Sequence, residues 1–528
     1  MVPMRASLLA SALLFLPLAA GGQAESARPT LVVLLTVDQM RGDYLDRFGA
    51  RFTGAFARLR QGGAVFTHAY QDHGLTETAC GFATIGSGRH PASTGILRNS
   101  EGVPDDDYPL LEVAGTGASP RRFRGTTLFD WVHRRWPRAR ALSVSIKDRG
   151  AILPIGWARE QVYWYAGGQF TTSRWYADTL PEWVRAFNAR MAPSRAPGRT
   201  WTPLFPLASY PEQDTAWYEN DGDATFPHRL PDGERQAAEW LPNTPWADSL
   251  TLALALEGVG RLGLGRGPPP DIVHVGLSAT DYIGHRFGPN SVEVHDQMLW
   301  LDRYLGAFLD SLGALVSPAR TLVVVTADHG VSAFPEWARA HGQPDAANGS
   351  QVVDSLVRGF QARLEHELGP GRWVRYREVG LIVLDRDALR ERGHDPDSIA
   401  DLLAADLRRL PILEAVDSRS TLQVQDTVAS VAARRWRHQI GPTSPGDVFL
   451  TPRPGIVLGG ATRAHHGHAT EMETWVTLVL YGPGIRPGRY DATASTVDIA
   501  PTLARLLGVR PLERVDGRVL VESVDGRR

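Results

Sequence analysis

Thr30 to Val37 reads TLVVLLTV and runs directly into Asp38. A run this apolar and β-branched, without polar alternation, is the signature of a strand covered on both faces. Comparable runs recur at 141–146 (ALSVSI), 271–277 (DIVHVGL), 321–326 (TLVVVT) and 475–481 (WVTLVLY). Between them lie segments of helical period. The clearest is 294–312, where Met298, Leu301, Leu305, Phe308 and Leu312 make one apolar stripe. Buried strands alternating with amphipathic helices predict an α/β fold, with a mostly parallel central sheet between helix layers. Polar residues gather just past these strands, at the edge where open α/β sheets place their sites.

With 528 residues, the chain suffices for one large catalytic domain carrying insertions. Its 43% apolar and 22% charged residues are ordinary for a globular protein and exclude a disordered chain. Basic and acidic residues number 56 and 58, a formal net charge of −2. That balance supplies no global field toward nucleic acid or an anionic membrane, so any affinity for phosphate is local.

Met1 to Ala24 reads as a secretory signal: Arg5, an apolar run from Leu8 to Ala20, and a small-residue cleavage site at Gly22-Gln23-Ala24. The apolar run is too short to span a bilayer and contains Pro17, so no stable membrane anchor is expected after cleavage. A single cysteine, Cys80, excludes an internal disulfide and reads as a small packing residue. These features predict a periplasmic or secreted protein. The expected organisation is a signal at 1–24 and a catalytic domain at 25–528. Two regions break the alternation and are expected as insertions over the ligand edge: 150–248, rich in Trp, Tyr and Pro, and 343–442, a compact subdomain.

The stretch from Leu75 to Asn99, LTETACGFATIGSGRHPASTGILRN, lacks helical or strand period in its first half and reads as a hydroxyl-rich loop. Thr78 is its candidate nucleophile. Asp38 closes the first buried run; Asp281 and His285 are four apart in DYIGH; Asp328 and His329 end another run in TADHG; His466 stands ahead of the run at 475–481. Singly, each is as well explained by a cap or an ion pair. Together they place six carboxylates and imidazoles at strand ends, a donor mixture suited to zinc and a number suited to two ions. Two metals of this kind form the clamp used for in-line displacement at phosphorus. Lys147 and Arg149, in SIKDR, are candidates for a cationic clamp on phosphoryl oxygens, to which Asn99 can also donate.

These pieces resemble the alkaline phosphatase superfamily. Within it, they are most similar to the phosphate-irrepressible (PafA-type) alkaline phosphatases, related to the nucleotide pyrophosphatase/phosphodiesterases. TVDQMRGDYL, TETACGFATIGSGRHPASTGILRN, SIKDRGAI, SATDYIGHRFGPNS, TADHGVS, the His466-Gly467 pair and TVDIAPTLARLLG occur in the superfamily's order along nearly the whole mature chain. The resemblance implies one zinc at Asp281, His285 and His466. It implies a second at Asp38, Asp328 and His329, shared with the oxygen of the nucleophile Thr78. Asn99, Lys147 and Arg149 would bind the phosphoryl group, the Lys-x-Arg pair marking the monoesterase branch.

Two departures stand out. Gly81-Phe82-Ala83-Thr84 replaces the GHAT common in relatives, and His465-His466-Gly467-His468 replaces THGS. Register to the downstream strand selects His466 as the ligand. A sulfatase is disfavoured because Cys80 lacks the Pro and Arg of that branch's nucleophile motif. The expectation is an exported, monomeric alkaline phosphatase using two zinc ions and a phosphothreonine intermediate. Its substrates would be small-molecule phosphate monoesters, with no nucleic-acid partner. The competing expectations are a phosphodiesterase or nucleotide pyrophosphatase on the same scaffold, and an exported metal- or phosphate-binding protein without turnover.

Overall fold

The five apolar runs all become strands of one sheet in the computed structural model, which describes residues 28–191, 196–441, 444–459 and 464–525. The signal sequence at Met1 to Ala24 lies outside the described residues. In chain order the sheet comprises β1 (Leu31–Val37), β2 (Ala64–Tyr70), β3 (Ala141–Ser145), β4 (Gln161–Ala166) and β5 (Gln169–Thr171). It continues with β6 (Asp271–Leu277), β7 (Thr321–Thr326), β8 (Trp475–Tyr481), β9 (Gly488–Tyr490) and β10 (Ala494–Ser495). Their spatial order is β9-β2-β8-β7-β1-β6-β3-β4-β5, with β10 beside β2.

β1 lies parallel between β6 and β7 and every one of its residues is buried, as expected for a strand packed on both faces. Its register decides where the chemistry falls. Val37 pairs with Leu277 and Thr36 with Thr326, so the chain leaves all three strands at one level. Asp38 follows at once, Asp328 after one residue, and Asp281 after three residues at the start of a helix. The central pairings are parallel, while β8 runs antiparallel to both β7 and β2.

The stretch from Leu75 to Asn99 is not the loop expected from its lack of period. Thr78–Ser87 is a helix, α1, and all its residues are buried. A helix covered on every side has no polar stripe, so its 3.6-residue period is invisible in the sequence. Its glycines act inside the helix. A Cβ on Gly81 would stand 2.2 Å from the backbone oxygen of Asp328, so only glycine allows α1 to lie against the residues after β7.

The aromatic region 150–248 also differs in part from the expected covering insertion. β4 and β5 extend the central sheet itself, because Val162, Tyr163 and Trp164 are buried and β4 pairs in parallel with β3. Later parts of the region, including Tyr218, Asn220 and Asn243, line the cleft above the strand ends. Between β7 and β8 the chain builds a second, four-stranded sheet in the order Val374–Glu378, Leu381–Leu384, Val448–Pro452, Leu413–Ser418. It has its own core, including Val353, Leu364, Ile382, Leu403, Leu407 and Val448, and its third strand comes from beyond residue 442. No helix among the described residues is long and apolar enough to cross a membrane.

Candidate active site

Besides the ends of β1 and β7, which deliver Asp38 and the Asp328-His329 pair, four elements deliver the site. α1 starts at Thr78, with its hydroxyl on the first turn. α2 (Asp148–Ile152) follows β3 and is preceded by Lys147. α3 (Ala279–Phe287) follows β6 and carries Asp281 and His285 one turn apart, on one face. The segment ahead of β8 carries His466.

The structure brings all six expected ligands together. His285 Nε2 stands 3.1 Å from Asp281 Oδ1, and His466 Nε2 stands 3.5 Å from the same oxygen and 3.1 Å from His285 Nε2. His329 Nε2 lies 3.4 Å from Asp38 Oδ1 and 3.5 Å from Asp328 Oδ2. His329 also belongs to a close group with Asp281 and His466, and its ring stacks on that of His466 at 3.6 Å, so the two ligand sets adjoin.

Each imidazole is oriented by its far nitrogen. His466 Nδ1 donates to the Thr76 carbonyl at 2.6 Å, His329 Nδ1 to Gly330 at 2.9 Å, and His285 Nδ1 to Ala464 at 3.0 Å. Carbonyls only accept, so each ring presents Nε2 inward as a ligand atom.

Electrostatics make the cluster receptive to cations. Burial, and then Asp281, pushes the Asp38 carboxyl above its ordinary value; burial, and then Asp38, pushes Asp328 well above. Burial also lowers His329 to about 3 and His466 to about 4, which keeps both rings neutral. Burial works against the Asp281 charge as well, but Lys147 and His285 hold it well below the usual carboxylate range. Asp328 Oδ2 and His329 Nε2 are buried without a hydrogen-bond partner. Inward Nε2 atoms and buried carboxylates crowded this closely repel one another unless a cation stands among them. The mixed oxygen and nitrogen donors fit zinc better than magnesium or calcium, which favour all-oxygen shells.

Lys147 joins the two sets. Its Nζ lies 2.7 Å from Asp38 Oδ2, 2.6 Å from Asp281 Oδ2 and 3.4 Å from Thr78 Oγ1. Burial disfavours the ammonium, but Asp281 and Asp38 raise its pKa above the ordinary lysine value. Arg149 lines the same cleft of about 620 Å³, together with Asp281, Tyr282 and His285, and its Nε is buried without a partner. Asn99 sits where Leu75 to Asn99 turns back on α1. Its Oδ1 accepts from the Ala79 N–H at 2.9 Å and its own N–H donates to Glu77 Oε2 at 2.6 Å, which fixes it beside Thr78.

One residue was not anticipated. Gln39 has φ of 67°, a left-handed backbone uncommon outside glycine. Its N–H donates to Asp328 Oδ1 at 3.2 Å and its Nε2 to Asp281 Oδ1 at 2.7 Å, so it bridges the two ligand sets. Its position directly after Asp38 was the one available signal.

Residues 32–464 match the type I phosphodiesterase / nucleotide pyrophosphatase family. The chain belongs to this family. Among family relatives, the alkaline phosphatase PhoV of Synechococcus elongatus is 30% identical over 94% of this chain and 93% of its own. The alkaline phosphatase PafA of Elizabethkingia meningoseptica is 28% identical, covering 94% of this chain and 95% of its own. The crystal structure of wild-type PafA superposes with a TM-score of 0.88 at 27% identity, over 94% of this family member and 99% of PafA. A PafA variant with a threonine, an asparagine, a lysine and an arginine replaced together has a TM-score of 0.87, with the same coverage of both chains. The family fold, a large central sheet flanked by helices, is therefore the fold of this chain.

Proposed function

We propose that the protein is an exported, monomeric alkaline phosphatase that hydrolyses phosphate monoesters through phospho-Thr78 at a two-zinc centre. Its assignment as a phosphoric monoester hydrolase rests on alkaline phosphatase relatives that match nearly its whole length. The finer reading is carried by one observation: the Lys147 ammonium stands at once on Thr78 Oγ1 and on a carboxylate of each ligand set. The four residue types replaced in the PafA variant correspond in type and chain order to Thr78, Asn99, Lys147 and Arg149, which supports it.

Asp281, His285 and His466 would hold one zinc, and Asp38, Asp328 and His329, with Thr78 Oγ1, the other; when bound, the pair supplies Lewis acidity that lowers the hydroxyl pKa and offsets charge on the leaving oxygen. Thr78 Oγ1 attacks phosphorus in line, the ester bond breaks on the opposite side, and phospho-Thr78 and the alcohol result. Water then attacks the same phosphorus, restoring the hydroxyl and releasing inorganic phosphate. Lys147, Arg149 and Asn99 bear the non-bridging oxygens. A monoester dianion carries more charge than a diester, so two cations beside the metals favour the monoester.

The family match itself supports a second reading, a phosphodiesterase or nucleotide pyrophosphatase on this scaffold. Rates on an aryl phosphate and a bis-aryl phosphate, paired with metal analysis, separate the two. The expected result is about two zinc ions per chain, a preference for the monoester, and loss of turnover in Thr78→Ala. A strong diester preference would overturn the monoesterase reading, and wild-type turnover by Thr78→Ala would overturn the nucleophile. Metal content without phosphate release from any ester would point to the non-turnover binding protein.

A further inference from the structure

The segments bearing Thr78, Asp328 and His329, and His466 come from distant parts of the sequence, yet one buried carboxylate meets all three. Glu473 lies in a short helix, Glu471–Thr474, just ahead of β8 and is wholly buried. Its backbone carbonyl accepts from the Gly330 N–H at 2.7 Å, next to His329. Its Oε1 accepts from Ser332 Oγ at 2.6 Å, two residues further along the same segment. Its Oε2 accepts from the His468 N–H at 2.7 Å and from His468 Nδ1 at 3.0 Å. The Thr76 hydroxyl donates to the His468 carbonyl at 3.1 Å and lies 3.4 Å from the same Glu473 oxygen.

Thr76 closes the circuit. Its hydroxyl accepts from the Gly467 N–H at 2.8 Å, and its carbonyl accepts the His466 Nδ1 proton at 2.6 Å. Gly467 has φ of 118°, and a Cβ there would press to 2.9 Å from the Val379 side chain, so any other residue would strain this turn. His468 is the residue that replaces the serine of the usual THGS pattern, and it directs a nitrogen at Glu473 rather than at the metal cluster.

We propose that Glu473 is a positioning residue, paired with His468, that holds the turn before the nucleophile and the segments bearing His329 and His466 in metal-binding register. It touches neither metal nor substrate. A buried anion surrounded by donors from three segments resists displacement, because moving any one of them strands a buried polar group. The proposal rests on the zinc-centre reading, and its test reads metal rather than turnover.

Full-length protein loaded with zinc is titrated with a chelator, and the metal retained per chain is measured. Glu473→Gln preserves size but removes the charge; it is expected to lose half its zinc at a chelator concentration at least tenfold below wild type. Glu473→Asp is expected to fall between the two. Thr76→Val removes the bridging hydroxyl without touching the carboxylate and is expected to shift in the same direction, which keeps the test decisive if Glu473→Gln folds poorly. Glu293→Gln is the control: Glu293 is another wholly buried carboxylate, bonded to His228 at 2.8 Å and making no hydrogen bond to a candidate metal ligand among the described residues. It is expected to lower Tm and leave the chelator midpoint unchanged. Wild-type zinc retention in both Glu473→Gln and Thr76→Val would overturn the proposal. So would an equal shift in Glu293→Gln, since general loosening would then account for the loss. A zinc shift specific to Glu473 and Thr76 supports it whether or not the wild type hydrolyses a monoester, so its failure and that of the phosphatase reading are distinguishable.

Discussion

Lys147 carries the sharpest prediction about the reaction. Its ammonium is the cation nearest both Thr78 Oγ1 and the carboxylates, and truncation removes a charge from a buried, low-dielectric site. Removing one preorganised donor typically costs on the order of 100- to 1000-fold in rate. Lys147→Ala should therefore lower kcat/KM for an aryl phosphate by about that factor, with a smaller loss on a bis-aryl phosphate; equal losses on both would remove Lys147 from ester selection. Glu219 makes a pH prediction away from the metals. Burial, and then the facing Glu293 and Asp214, raises its carboxyl to about 9. The folded chain thus keeps a proton that the unfolded chain loses at the ordinary glutamate value of 4.5. Stability from this group is complete below that value and falls as pH rises toward about 9. Glu219→Gln should raise Tm increasingly across this window and level off above it. A Tm difference independent of pH would show that Glu219 is not held protonated.

At the level of elements, two glycines in helices should behave in opposite ways. An alanine in a helix is ordinarily worth about 1 kcal/mol over glycine. At Gly359, inside the helix Ser350–Leu368, a Cβ would meet nothing within 4 Å, so Gly359→Ala should raise Tm. At Gly81 the Cβ would fall 2.2 Å from the Asp328 backbone oxygen, and backbone cannot swing aside as a side chain can. The clash outweighs the helix preference. Gly81→Ala should lower Tm and displace α1 from Asp328, with loss of activity; a stabilised, active Gly81→Ala would mean that α1 does not rest on that segment. The cost of Gln39 at φ of 67° belongs to the same scale, since the strained turn lets one residue donate to both ligand sets.

Across the whole molecule, the proposed metals add to the ion pairs and hydrogen bonds, such as Arg434 with Asp72 and Gln439 with Leu75, that join the two sheet units. The central sheet and the four-stranded sheet have separate cores, and the segment bearing His466 returns from the second to the first. Ions that bind the folded chain alone stabilise it by mass action, by about 4 kcal/mol at 1,000 times the dissociation constant. Chelation should therefore lower Tm and abolish turnover, and added zinc should restore both. A Tm unmoved by chelation, with metal analysis showing the ions gone, would mean that Lys147, Gln39 and the Nδ1 hydrogen bonds hold the carboxylates and imidazoles without the ions. With a formal net charge of −2, the protein has no large self-repulsion for salt to screen, so this effect should persist at high ionic strength.

The sequence by itself determined the sheet's interior and the chemical types at its edge. A strand buried on both faces is mostly apolar, so β1, β3, β6, β7 and β8 were legible as near-continuous runs despite Ser143, Ser145 and His274 buried within them. Asp38, Asp281, Asp328 and His329 were legible because polar residues just after such runs have one place to go, His285 by its four-residue spacing from Asp281, and His466 by its place ahead of β8. What escaped was whatever lacks a local pattern. α1 is buried on all sides and shows no stripe; β2 is interrupted by half-buried Thr67 and exposed His68; β4 hid among aromatic residues that resembled a covering insertion. Only the tertiary structure decided that Lys147 stands on both carboxylate sets, that Gln39 bridges them, and that Glu473 gathers three segments. Those are relations between residues tens to hundreds of positions apart, set by how the strands of the central sheet are paired, and no local periodicity records them.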